Sequence, residues 1–342
     1  MKSRNQKETR RMIVNVGIFA AVMALTFWSV FRGQNFSEIA AAVWQMSGIY
    51  MAAAVLLAVF FVAAEGCMIW YLLWGIGERS TLPRCISYSF IGFFFSGITP
   101  SATGGQPVQL YYMQRDGNAL SASSVVLMTV AVIYKFVLVL IGIGILLFWR
   151  RPLRTYLRGY YGLYFLGLFL NVVLVVVLLI VMFSQEIIRS CFYRIERLMV
   201  HIRLWKKRES RREKVELFLS GYQETVDFLR KHKRLIGVMI AGTFVQRCSV
   251  FLLTAVVYRG LGLSGAAMLD IVLVQAAVYI AVDMLPVPGA QGITEAMYHR
   301  VFRDIFVGNA LVVSVCITRG ISFYLVMLIG FVVFCAAGRR RF

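Results

Sequence analysis

The sequence predicts an all-α, polytopic membrane bundle of about six full spans plus two opposed re-entrant helical hairpins, arranged as an inverted repeat. Three observations carry that expectation. Of the 342 residues, 60% are hydrophobic and only 15% charged, where soluble domains carry roughly 25% charged residues. The apolar residues also fall into runs of the ~20 residues a helix needs to cross a bilayer. Finally, Gly/Pro/Thr-rich stretches at 96–110 and 283–295 interrupt otherwise apolar sequence. Backbone groups freed by such breaks are costly in lipid, so each break must fold against protein or line a polar cavity.

Composition excludes several function classes. A net charge of +20 would suit a nucleic-acid binder, but the basic residues sit at the ends of apolar runs and in one long loop. That is the pattern of cytoplasmic loops under the positive-inside rule, so no nucleic-acid partner is expected. The six cysteines are scattered and the three histidines lie far apart, which gives neither a disulfide framework nor a zinc-ligand spacing. No cofactor, metal or catalytic residue is assigned.

In chain order, Lys2, Arg4, Lys7, Arg10 and Arg11 precede an apolar run at 12–31, read as an uncleaved first span with a cytoplasmic N-terminus. Residues 36–50 are shorter and partly amphipathic, and lead to a second span at about 48–74. The run from Cys85 reaches only Ile98 before the first break, and a short half from Pro107 to Met113 follows. Neither half is long enough to cross, which predicts a hairpin returning to the side it came from. Pro107 suits the start of the second half-helix. Spans at about 121–149 and 160–183 come next.

Residues 184–234 hold fourteen Lys/Arg against seven Asp/Glu. Apolar positions at Val215, Phe218, Tyr222, Val226 and Leu229 recur every three or four residues, the period of an amphipathic helix. This segment is expected on the cytoplasmic side, lying on the anionic inner leaflet or against the bundle; a protein-docking arm is the alternative. A span at about 235–258, a hairpin from the outside and a final span at about 309–337 complete the chain, whose tail Arg339, Arg340 and Arg341 is again cytoplasmic. Arg150, Arg151, Arg154 and Arg158 fall outside in this scheme and fit it badly.

The domain organisation is therefore a first membrane repeat, 1–183, with a cytoplasmic-side hairpin at 85–115; a basic amphipathic cytoplasmic linker, 184–234; and a second membrane repeat, 235–342, with an outer-side hairpin at 264–306. Laid side by side, both halves read as two spans, a hairpin and a span, in opposite directions. Inverted repeats with broken helices meeting near the midplane are a transporter architecture.

The two breaks also carry a resemblance. Thr99-Pro100 followed by Gly104-Gly105-Gln106-Pro107 and Leu110-Tyr111, with Pro286, Pro288-Gly289, Gly292 and Glu295, resembles the signatures of the flippase-like transmembrane family found as the membrane domain of lysylphosphatidylglycerol synthases. The resemblance spans essentially the whole chain and implies movement of a phosphate-headgroup lipid between leaflets. Only 338–342 follow the last span, with no counterpart of the soluble synthase domain, so lysyl transfer is not expected.

Glu65, Lys135, Arg247 and Arg319 fall near the middles of their spans, where an ionisable group costs roughly 2.5–3.5 kcal/mol or more and is a functional hypothesis by default. Glu65 and Arg247 occupy matching positions in the two repeats, as do Lys135 and Arg319. Together with Asp283 and Glu295 they predict a polar pocket with excess positive charge, suited to a lipid phosphate. Thr99, Gly104, Gly105, Gln106 and Pro107 of the first break and Pro288, Gly289 and Gly292 of the second are expected in its wall. The expected function is a lipid flippase for an anionic, aminoacylated or polyprenyl-phosphate lipid. An enzyme or subunit acting on a phospholipid headgroup is the alternative, with Glu295 and His299, one helical turn apart, as its best pair. Membrane lipids are the expected partners, with a homo-oligomer or a protein partner left open.

Overall fold

The structure is a computed structural model that describes residues 47–99, 103–201, 209–284 and 293–339, with Ser37, Ala41, Val43, Trp44 and Met46. The expected first span at 12–31 and most of the second break therefore lie outside the described residues. Within them the chain is helical throughout, with no strand. Five helices are long and apolar enough to cross a membrane: α1 (Gly48–Gly75), α4 (Leu120–Phe148), α6 (Tyr161–Phe183), α9 (Lys233–Gly260) and the composite Asn309–Gly338. Each coincides with one of the expected spans. The composite consists of α12 (Asn309–Arg319), a π-helical turn (Gly320–Leu325) and α13 (Val326–Arg339).

Two shorter apolar helices, α2 (Leu82–Ile98) and α10 (Met268–Val282), are each followed by a break and a short helix, α3 (Gly105–Arg115) and α11 (Ile293–Val301). The remaining helices are α5 (Arg150–Tyr156), α7 (Gln185–His201) and α8 (Glu209–Lys231).

Helix α3 lies antiparallel on α2. Tyr88 donates to Asp116 Oδ2 at 2.8 Å, while a Cβ at Gly92 would fall 2.4 Å from the Gln109 amide and one at Gly105 would fall 2.1 Å from Ser96 Oγ and 2.7 Å from the Gly92 carbonyl. Contacts thus pair rising positions of α2 with falling positions of α3. Helix α3 begins at Gly105, so Pro107 is its third residue rather than its first. The first-turn N–H groups have no intrahelical partner in any case, so proline remains compatible there.

Small residues set the helix spacing elsewhere, as expected where burial against lipid supplies no drive and close packing must. A Cβ at Gly66 of α1 would lie 2.4 Å from the Ile86 Cα on α2, one at Gly167 of α6 2.3 Å from the Ile280 carbonyl on α10, and one at Gly330 of α13 2.5 Å from the Phe90 carbonyl on α2. Helices α1 and α9 form the central antiparallel pair, fixed by Gln246 donating to the Phe61 carbonyl at 2.7 Å and Thr243 donating to Met68 Sδ at 3.1 Å.

The helix contacts of one half recur in the other. Helix α1 packs on α2 as α9 does on α10, α2 on α3 as α10 on α11, α3 on α4 as α11 on α12, and α2 on α13 as α10 on α4.

In the linker, Val215, Leu219, Tyr222, Val226 and Leu229 of α8 are all buried. Their stripe packs on α4 and α9, with Ser121 of α4 against Gly221. The linker helix thus caps the end of the bundle where α4 begins, whereas α5 lies beyond the end where α4 finishes.

Candidate functional site

Phe61, Glu65, Tyr134, Lys135, Arg247, Tyr279 and Asp283 gather where α1, α4, α9 and α10 meet. Three of these helices place their polar residue near mid-length: Glu65 in Gly48–Gly75, Lys135 in Leu120–Phe148 and Arg247 in Lys233–Gly260. Asp283 follows the last residue of α10, at the mouth of the second break.

Lys135 forms an ion pair with Asp283, and the two side chains are 15% and 9% exposed. The pair joins a span of the first half to the hairpin of the second. Tyr134 reinforces it, standing 2.7 Å from the Tyr279 hydroxyl and donating to Asp283 Oδ1 at 3.3 Å. Lys135 Nζ also reaches Met284 Sδ at 3.4 Å.

Arg247 is 1% exposed, the bulkiest of the fully buried side chains. Its guanidinium lies 3.9 Å from the Tyr134 ring centroid, 4.4 Å from that of Phe61 and 5.8 Å from that of Tyr279. Nη1 donates to the Tyr279 hydroxyl at 3.4 Å, and Nε has no hydrogen-bond partner among the described residues. Aromatic faces on three helices thus offset much of the desolvation of this cation by cation–π attraction, which strengthens when water is excluded. Glu65 accepts a hydrogen bond from Gln109 Nε2 at 2.7 Å. That bond ties the first hairpin to α1, so both hairpins reach the polar centre, one through Gln109 and the other through Asp283.

Among the break residues, Thr99 turns inward on its own hairpin. Its hydroxyl donates to the Phe95 carbonyl at 2.7 Å and accepts from the Gly104 N–H at 2.9 Å, holding the end of α2 to the start of α3. Gly104 and Gly105 are required by close approach, since a Cβ at Gly104 would lie 2.6 Å from Thr99 Cγ2. Gln106 and Pro107 are exposed on the surface of α3. Pro288, Gly289 and Gly292, and the side chain of Glu295, lie outside the described residues.

Arg319 closes α12 immediately before the π-helical turn. There Thr318 donates back to the Ser314 carbonyl at 2.7 Å and Ser322 to the Thr318 carbonyl at 2.6 Å, contacts that divert carbonyls from the regular helical ladder. Single-turn π segments inside α-helices occur frequently at functional sites.

Sequence reasoning located the charges but missed the residues that mediate between them. Gln109, Tyr134, Tyr279 and Phe61 are not among the site residues the sequence suggests. A usable signal existed for three: Gln109 is a polar residue two places after Pro107, and Tyr134 and Tyr279 are polar-tipped rings inside apolar runs. Phe61 is one phenylalanine among 26, and nothing in its neighbourhood separates it from a lipid-facing residue. No group of three or more His, Cys, Asp or Glu side chains that could hold a metal ion occurs among the described residues.

Apolar spanning helices around a buried, ion-paired polar centre define a multi-pass membrane protein of the α-helical class. Residues 12–330 match the family model described as the lysylphosphatidylglycerol synthase TM region, and the chain belongs to that family. No curated protein matches the chain.

Proposed function

We propose that the protein is a lipid flippase that moves a phosphate-headgroup lipid between leaflets. The observation that carries this reading is the Lys135–Asp283 pair, an ion pair between a span of the first half and the hairpin of the second, beside the buried Arg247. The recurrence of helix contacts between the halves supports an inverted repeat with two re-entrant hairpins, the architecture in which such a centre serves alternating access. Membership of a family described by a lipid-modifying synthase supports a lipid as the substrate.

In the proposed cycle Asp283 holds the place that a lipid phosphate takes. An incoming phosphate competes with the carboxylate for Lys135, releasing the tie between α4 and the second hairpin. Arg247 and Arg319 hold the site electropositive while one repeat rocks against the other and the acyl chains stay in lipid. The basic linker and the run of arginines at the C-terminal end of the sequence support a cytoplasmic side for both termini, with the polar face of α7 and α8 toward the anionic inner leaflet.

The test is reconstitution into liposomes with labelled anionic, aminoacylated and polyprenyl-phosphate lipids, scoring leaflet exchange for each. Wild type should exchange at least one of these lipids without altering it chemically. Lys135→Ala and Arg319→Ala should insert but exchange it at least tenfold more slowly. Exchange at the wild-type rate in both variants would remove the pocket assignment, and chemical turnover of the lipid would replace transport with an enzyme.

A further inference from the structure

Arg150, Arg151, Arg154 and Arg158 have no role in the site above and sit on the face opposite the basic linker, where the positive-inside rule disfavours them. We infer that α5 and the turn after it form a binding site for the phosphate of an anionic membrane lipid on that face.

The arginines are held by a firmly anchored scaffold. Leu153 and Leu157 are fully buried, Trp149 and Tyr156 stack with centroids 5.7 Å apart, and both donate to Asp270, at 3.2 and 3.5 Å. Asp270 is thereby occupied on the inner side of α5. The outer side carries all four arginines, each exposed and none in an ion pair among the described residues. Arg151, Arg154 and Arg158, with Thr155, Gly159 and Tyr161, line an open cavity of about 600 Å³. Three arginines line this cavity and no carboxylate is among its lining residues, and planar guanidinium forks match phosphate oxygens.

The surroundings select a lipid over a soluble phosphate. Leu147 and Phe148 at the end of α4 are 70% and 90% exposed, and Phe165 and Leu166 of α6 are 43% and 48% exposed. An apolar surface thus lies on the membrane side of the arginines, where acyl chains would sit while the headgroup meets α5. The inference needs α4 and α6 to span the membrane but does not need transport.

The experiment is native mass spectrometry of the detergent-purified full chain titrated with phosphatidylglycerol, phosphatidylcholine or soluble glycerol phosphate. The R151Q/R154Q/R158Q variant is compared with R230Q/K231Q/K233Q, which removes the same number of charges from exposed linker positions. Phosphatidylglycerol should bind wild type more tightly than phosphatidylcholine, and the α5 variant should lose about fivefold in affinity per arginine, with the linker variant unchanged at this tightest site. Equal loss in both variants, or none in the α5 variant, would overturn the site. Glycerol phosphate competing as well as the lipid would make it a soluble-phosphate site and overturn the lipid assignment. All six substituted residues are exposed, and thermal unfolding at the wild-type temperature confirms that a lost signal is not a lost fold.

Discussion

Removing Lys135 leaves Asp283 as a charge whose side chain is 9% exposed, with the Tyr134 hydroxyl at 3.3 Å as the one side-chain donor still on it among the described residues. Breaking a buried pair by deleting one partner costs about 3–5 kcal/mol, because the remaining charge stays desolvated. Since neither side chain is wholly enclosed and Tyr134 remains, the lower end applies, and Lys135→Met should cost about 3 kcal/mol. Asp283→Leu should cost a similar amount by stranding Lys135. The double variant strands nothing and should cost no more than either single, so the cycle closes with a coupling of about 3 kcal/mol, the top of the range for contacting residues. Denaturant unfolding in mixed micelles gives the stabilities, and lipid exchange in liposomes is measured on the same proteins. The double variant should recover stability and still fail to exchange lipid, because the phosphate has lost its cation. Additive losses within about 0.5 kcal/mol would refute the pair as a structural tie, and recovered exchange would refute Lys135 as a phosphate ligand.

Three further outcomes are expected. Arg247→Lys should lower stability by about 1–2 kcal/mol, because an ammonium replaces a planar group stacked against three rings; an unfolding midpoint equal to wild type would remove the cage. Gly105→Ala should cost about 1–3 kcal/mol by forcing α2 from α3, while Gly144→Ala and Gly237→Ala, with open space around each Cβ, should be neutral or slightly stabilising, all read from unfolding midpoints. With the native cysteines replaced, Thr155→Cys and Ser220→Cys should react with a membrane-impermeant thiol reagent from opposite faces in sealed vesicles, whereas labelling from one face would break the topology.

The spans were legible because apolar length is a local property. Runs at 48–74, 121–149, 160–183, 235–258 and 309–337 stand out from polar flanks, and the structure forms helices over each. The stripe Val215, Tyr222, Val226 and Leu229 was equally local, and its period of three and four announces one buried face. What that face covers was not local: only the fold places it on α4 and α9. Charge position was readable too, because a lysine or arginine inside an apolar run is conspicuous at any distance from its partner.

By itself, then, the sequence determined a helical membrane bundle, its two breaks and the mid-span residues Glu65, Lys135, Arg247 and Arg319. The tertiary structure decided how those charges are satisfied. Lys135 and Asp283 are 148 residues apart, and Gln109 reaches Glu65 across 44. It also gave Thr99 a hydrogen-bonded clasp within its own hairpin, and drew Phe61, Tyr134 and Tyr279 around Arg247. The physical reason is that hydropathy fixes where a helix lies relative to lipid, whereas the partner of a desolvated charge is fixed by which helices pack together and at what rotation.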